Sequence, residues 1–399
     1  MSVSLLQSEP TSRIKSIDTI RGAIMIIMAL DHVREFFLIT AFTQNPVDPQ
    51  TTTPILFFTR WITHYCAPSF MLLSGISAYL AGSKRSATET SLFLIKRGFW
   101  IVLIEVTLMT FILSFDISYK FILLNVLWAL GCCMIVTGIF VRFFSAKAVL
   151  VFGLVLILGH NVFDFIKVTP NSVLDIILNI FFTAAGKFYP VGGRTIAVFY
   201  VILPWAGVMM SGYGLGKLYD KDFDAGKRKK ILLLAGLSAT LIFIVLRFAN
   251  GYGDPALWTT QKESWRTVLS FFNVSKYPPS LLFTLMTVGP VLILLSFTDS
   301  TSNRLTKFLS VYGKVPFFYF IVHFSLIHVL SAITVLLTGY TWKQATDPEL
   351  FFKFRPFDFG FELGWVYLIW IAIVLSLYFP CKWYGKYKTE HKAWWLSYL

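Results

Sequence analysis

About ten runs of roughly 20 mainly apolar residues recur along the chain, each long enough to cross a bilayer core about 30 Å thick. Inside a bilayer every backbone N–H and C=O must find its partner within the protein, so runs like these fold as helices. A closed β-barrel would need strands alternating apolar and polar residues, which the runs do not show. The expected fold class is therefore all-α: a polytopic transmembrane helical bundle forming a single domain over residues 1–399. The spans read as 17–39, 55–81, 92–113, 121–141, 148–166, 196–218, 231–248, 279–297, 315–337 and 363–380. Only 14% of the residues are charged, against about 25% in soluble domains. The first run reads as a retained span, since no small-residue cleavage site follows it.

The charges that remain have a direction. With the N-terminus inside, roughly two basic residues fall on inner segments for each one outside, as the positive-inside rule expects. The run Lys227, Arg228, Lys229, Lys230 is the clearest inner block. The net charge of +14 thus belongs to membrane topology and calls for no nucleic acid. This frame makes 1–16 and 381–399 cytoplasmic tails and 250–278 an ordered outer lid loop. The apolar stretch 173–185 is short, and reads as interfacial or re-entrant on the outer face; an eleventh span is the alternative. Cys66, Cys132, Cys133 and Cys381 lie in or beside apolar runs without CxxC spacing, which suits packing rather than disulfides or zinc.

The first run carries residues that a span normally excludes. Asp18, Arg21, Asp31, His32 and Arg34 interrupt it, although a charge near the bilayer centre costs about 2.5–3.5 kcal/mol on insertion scales. At 100° per residue, Asp18, Arg21, Met25, Met28 and His32 share one face. Arg21 and His32 are then separated by roughly 16 Å along the axis.

Other polar residues collect at outer depth. Arg60 and His64 are four apart and share a face, and Pro68 one turn later should kink that helix. Glu105, Asn125, His160, Asn161, Asp164, His323 and His328 also fall within spans, mostly in the outer half. Buried ionisable residues in such numbers point to a polar cavity. At the inner end Arg21, Lys96 and Arg97, with Asp18 beside them, could hold phosphates through charge-assisted hydrogen bonds. Cations at one mouth and imidazoles at the other suit a long anionic donor such as acetyl-CoA, or a transported anion.

Four stretches carry a resemblance. RIKSIDTIRGAIMIIMALDHVREFF, FFTRWITHYCAPSFMLLSG, YGDPALW and LSFFNVSKYPPSLL resemble the bacterial branch of the heparan-α-glucosaminide N-acetyltransferase catalytic family, over nearly the whole chain. The opening is also similar to membrane acyltransferases of the O-acetylase type. Those carry an LDxLRG helix with a catalytic His eleven residues after the Arg, and His32 stands eleven after Arg21. Their third-helix RxxR motif is half present, with Arg97 in place and Trp100 where the second Arg would stand. The lysosomal enzyme has Asn at the position matching His32 and its proposed catalytic His in the following loop, but residues 40–58 here hold no His.

The resemblance implies acetyl transfer from cytosolic acetyl-CoA, without a metal, to a sugar amine or hydroxyl across the membrane. His32 or His64 would be the base. Asp31, Glu105 or Asp164 would orient the imidazole, and Arg60 would stabilise the oxyanion. Arg21, Lys96, Arg97 and Asp18 would form the donor site. Arg34, Glu105, Asn125, His160, Asp164, Asp254 and Tyr277 are candidates for contact with a carbohydrate acceptor. The implied location is a bacterial inner membrane with both termini cytoplasmic, and a homodimer is left open. A transporter for an anion or sugar conjugate is the rival reading, weakened by the lack of a repeat relating the two halves. A structural or sensory membrane protein is a third.

Overall fold

The computed structural model describes residues 14–391 except 185 and 300, together with 393 and 396. The basic residues Arg13 and Lys392, with most of the N-terminal tail and the last few residues of the C-terminal one, lie outside the described residues. Sixteen α-helices and three strands are found among the described residues. In the first half α1 is Lys15–Phe37, α2 Pro54–Thr63, α3 Cys66–Gly82, α4 Ala87–Ile104, α5 Thr110–Ser114, α6 Val126–Phe143, α7 Ala146–Gly159 and α8 Val173–Leu178. In the second half α9 is Leu203–Leu215, α10 Ala225–Ala249, α11 Ser264–Phe272, α12 Leu281–Thr298, α13 Arg304–Gly313, α14 Pro316–Leu337, α15 Trp342–Ala345 and α16 Leu363–Glu390. The strands are β1 Phe121–Leu124, β2 Lys187–Val191 and β3 Arg194–Val198.

Among the described residues six helices are long and apolar enough to cross a membrane: α6, α7 with its 3-10 extension to Phe165, α10, α12, α14 and α16. In α10 only 22% of the apolar window is buried within the protein. The rest of that surface suits lipid, since acyl chains are as apolar as a leucine core.

α1 is the hub. It packs against α3, α12, α13, α14 and α16, and most of its residues are buried. Its tightest contact is with α13. A Cβ built on Gly22 would lie 1.8 Å from the Leu309 carbonyl oxygen, and one on Gly313 would lie 1.8 Å from that of Asp18. Only glycine permits that approach, and small residues at helix crossings are the usual means of packing in lipid. Gly22 directly follows Arg21, so this contact fixes the height of the Arg21 side chain.

The second apolar run breaks between α2 and α3, at His64 and Tyr65. Pro68 has no N–H to bond the His64 carbonyl four residues back, so the helix opens there. The third run also departs from a plain helix. It passes through a π turn, Glu105–Met109, before α5, and such turns mark positions where the backbone is displaced for another purpose.

The all-α expectation needs correction. Residues 121–124, read as the start of a span, form β1, and 196–198, read likewise, belong to β3. β1 pairs parallel with β3, and β3 pairs antiparallel with β2. The β2–β3 turn is Gly192-Gly193, both with positive φ (55° and 76°). Two such residues make the tight hairpin that matches strand twist. The chain is thus mainly helical with one small sheet. The stretch read as interfacial forms α8 and a π turn ending at Thr183. Pro380, taken as the end of the last span, lies inside α16, and helix continues to Glu390 through much of the expected tail. A membrane helix tolerates such a proline because neighbouring groups and local adjustment re-satisfy the freed carbonyl.

Candidate active site

Two ends of α1 carry two different cavities. At the end bearing His32, a cavity of about 700 Å³ is lined by His32, Arg34, Glu35, Arg60, His64 and Asn125 on one part of its wall. Lys276, Tyr277 and a set of phenylalanines, among them Phe324, Phe351 and Phe352, complete it. The break between α2 and α3 turns His64 into this space, and β1 delivers Asn125 as the residue before α6.

Asp31 organises the arginines. It accepts from Arg34 Nε at 3.3 Å and Nη2 at 3.1 Å, and forms an ion pair with Arg60. Arg34 Nη2 also lies 3.6 Å from Glu35 Oε1. The Asp31 hydrogen bonds therefore go to cations, not to the neighbouring imidazole. The carboxylate that meets His32 is Glu35, whose Oε2 is 3.3 Å from Nδ1. This partner was missed, although the i, i+3 spacing of His32 and Glu35 signals it. With a carboxylate accepting at Nδ1, the lone pair of the neutral ring sits on Nε2. The His32 ring stands 4.0 Å from that of Phe324 and 5.4 Å from that of His323.

His64 is buried, and its Nδ1 has no hydrogen-bond partner among the described residues. Such an orphan is rare enough to need a reason. Lys276 is a second residue missed from the sequence, where it read as one more outer basic residue. The residue is only 8% exposed. The ammonium lies 5.2 Å from the centre of the Tyr277 ring, with no hydrogen bond to the described residues. No sequence signal distinguished it from the solvated lysines around it.

Four expected site residues are engaged elsewhere. Glu105 accepts from the Leu127 N–H at 3.1 Å and so caps α6 from a neighbouring helix; an acidic group is favourable at a helix N-terminus. His160 bonds backbone oxygens of Pro279 at 2.7 Å and Ile157 at 3.0 Å. Asp164 is exposed and accepts from Asn161 at 2.6 Å. Asp254 accepts from the N–H groups of Ala256 and Ser275, both at 2.8 Å, and from Ser280 Oγ at 2.6 Å. Burial raises the Asp254 carboxyl above its ordinary range against those three donors. It ties the YGDP turn to the segment that carries Lys276 and Tyr277. His328 likewise serves structure, with its ring nitrogens 2.6 Å and 2.7 Å from the carbonyl oxygens of Ile112 and Lys353.

Two buried arginines hold the surrounding loops by bonding carbonyl oxygens. Arg247 bonds those of Ala256, Ser270, Phe271 and Asn273. Arg355 bonds those of Glu35, Leu38, Pro356 and Phe359, and burial pulls its guanidinium down to about 10.

At the other end of α1, Arg21 donates to Ser77 Oγ at 2.7 Å and to the Gly313 carbonyl at 3.3 Å, and pairs with Asp18 at 3.3 Å. It borders a cavity of about 680 Å³ with Lys84 and Lys221 in its wall. It also borders a narrow one of about 100 Å³, lined by Met25, Phe70, Arg97, Phe317 and Phe320. Arg21 and Arg97 are thus brought together as expected. Lys96 is exposed and borders neither cavity. The Phe320 ring lies 5.7 Å from that of His323 and 5.1 Å from that of Phe324, which lines the His32 cavity.

A helical membrane protein with a cationic cavity at one end of its central helix and an imidazole-lined one at the other defines the class. Residues 13–247 match the family described as heparan-alpha-glucosaminide N-acetyltransferase, catalytic, and the chain belongs to that family of acetyltransferases. The matched stretch ends before YGDPALW and LSFFNVSKYPPSLL, so it is shorter than the expected near-complete resemblance. It holds α1 to α9 and nearly all of α10, with His32, Glu35, Arg60 and His64. Comparison with curated proteins gives no match.

Proposed function

We propose that the chain moves an acetyl group from acetyl-CoA, entering at the Arg21 end, to a sugar amine or hydroxyl held at the His32 end. The carrying observation is the line of cavities and rings along α1, from Arg21 past Met25 and Phe320 to His323, Phe324 and His32. In this reading ten helical segments span the bilayer, and the basic bias places the Arg21 end in the cytoplasm.

The residues present fit the donor. Arg21, Arg97, Lys84 and Lys221 offer cations for phosphates. The narrow apolar passage suits the pantetheine arm, and the phenylalanines of the larger cavity suit the face of a sugar ring. His32 Nε2 takes the proton of the acceptor amine or hydroxyl as that group attacks the thioester carbonyl. A C–N or C–O bond forms, the C–S bond breaks, and the thiolate of coenzyme A leaves with the proton that His32 accepted. Glu35 holds Nδ1–H throughout. Arg60 is engaged with Asp31, so Lys276 is the cation left to oppose charge on the carbonyl oxygen.

The test is purified protein in proteoliposomes, given radiolabelled acetyl-CoA on one face and a panel of amino sugars and glycans on the other. Label should appear on an acceptor supplied opposite to the donor. A protein that carries acetyl-CoA or sugar across intact, with no labelled acceptor, is the transporter instead.

A further inference from the structure

The cavity at the His32 end carries a surplus of positive charge. Arg34, Arg60, Lys276 and Arg355 line it, and among the described residues of its wall Glu35 is the one carboxylate. Glu35 is already engaged, 3.3 Å from His32 Nδ1 and 3.6 Å from Arg34 Nη2. Asp31 is buried and committed to Arg34 and Arg60. Arg355 donates to carbonyl oxygens. Lys276 is buried, and its ammonium has no hydrogen bond or ion pair with the described residues, only the face of the Tyr277 ring at 5.2 Å. Two carboxylates thus stand against four cations, and the enclosed ammonium is the cation without an anionic partner.

This charge bears on what can enter. Like charges repel strongly where little water screens them. An amine with a pKa of about 7.7–8.0 is mostly ammonium at pH 7. It meets Lys276 with no free carboxylate to pair with, or it sheds its proton first. Shedding it costs about tenfold in binding at pH 7, and about tenfold more for each pH unit below. A hydroxyl is uncharged and meets neither obstacle. The base also suits a hydroxyl. An imidazole whose Nδ1–H is held by a carboxylate is the arrangement that activates the hydroxyl of a Ser-His-Asp triad. A hydroxyl is a weak nucleophile until its proton is taken, whereas a neutral amine attacks without that help.

We propose that the acceptor group is a hydroxyl of a neutral or acidic sugar, so that the chain forms acetyl esters, and that Lys276 sets this choice. The inference rests on the acetyl-transfer reading and names the acceptor class for the same site. His32 Nε2 takes the O–H proton as the oxygen attacks the thioester carbonyl. A C–O bond forms, the C–S bond breaks, and the coenzyme A thiolate leaves with that proton. The ammonium that opposes charge on the carbonyl oxygen is the group that turns a second ammonium away.

The experiment gives the full chain in proteoliposomes radiolabelled acetyl-CoA and a panel of neutral, acidic and amino sugars with their glycans. Each labelled product is treated with alkaline hydroxylamine, which removes acetyl from an ester and leaves an acetamide intact. The label should be released from the neutral and acidic acceptors. Acetylation of any amine in the panel should be slower in kcat/KM by about tenfold or more at pH 7, with the gap widening as the pH falls to 6. Lys276→Gln should lower turnover on every acceptor and narrow that gap by about tenfold at pH 6. Lys276→Arg keeps the charge and should keep the gap. A label stable to hydroxylamine, formed on an amine as fast as any ester, overturns the hydroxyl assignment and leaves acetyl transfer standing. A gap unchanged in Lys276→Gln removes Lys276 from the choice. A panel with no labelled member sinks the acetyl-transfer reading itself.

Discussion

Glu35 Oε2 lies 3.3 Å from His32 Nδ1, one turn further along α1 and in the wall of the same cavity. A carboxylate in that place fixes both the tautomer and the tilt of the ring, leaving Nε2 for the acceptor. Glu35→Ala should lower kcat by about tenfold or more, as part of the 10²–10⁴ that general-base catalysis provides. KM for acetyl-CoA should stay within error, because Arg21 and Arg97 are untouched. Unchanged kcat would remove Glu35 from the proposed chemistry.

His32→Ala should abolish acetyl transfer, by about 10²–10⁴ in turnover, while the protein still binds acetyl-CoA. His64→Ala tests the other imidazole. Its Nδ1 has no partner among the described residues, so truncation removes a group that structure alone does not require. The expected result is weaker acceptor binding with folding retained. Turnover that survives in His32→Ala but vanishes in His64→Ala would move the base to His64, at the break between α2 and α3.

Arg21→Ala and Arg97→Ala should each weaken acetyl-CoA binding by about tenfold or more, since a hydrogen bond to a charged group contributes about 1.5–3 kcal/mol. Lys96→Ala should leave affinity alone, because its side chain is exposed and borders neither cavity. Calorimetric titration with acetyl-CoA reads all three. Equal losses across the set would indicate a general effect of positive charge rather than a site.

Asp254→Ala should raise KM for the acceptor and spare the donor site. The substitution removes three hydrogen bonds, two of which tie the YGDP turn to Ser275 and Ser280, and so loosens Lys276 and Tyr277 between them. Each bond to an ionised acceptor is worth about 1.5–3 kcal/mol. Increased proteolysis within 250–278 should accompany the rise in KM. A lower kcat at constant KM would contradict this positioning role.

Much of the site was legible because its residues lie close in sequence. Arg60 and His64, one turn apart, reach the same cavity, and Pro68 does open the helix between α2 and α3. The pairing of Arg21 with Arg97 in one cavity was also expected. Glu35 was readable from its spacing to His32 and was passed over. The Gly192-Gly193 pair, between stretches rich in β-branched and aromatic residues, was likewise a readable hairpin signal. Lys276 offered no such sign, for only its enclosure sets it apart from other lysines.

By itself the sequence determined which segments are apolar enough to cross a membrane and the polar stripe along α1. Those features are local: they depend on composition and helical period. Only the tertiary structure decided which buried polar residues share a cavity. His32 and His160 look alike in a chain of apolar spans, yet one meets Glu35 beside open space and the other is bound to backbone oxygens. The physical reason is that lipid and protein core are equally apolar. A membrane helix therefore carries little record of which face turns inward, and the neighbours that decide it come from distant parts of the chain.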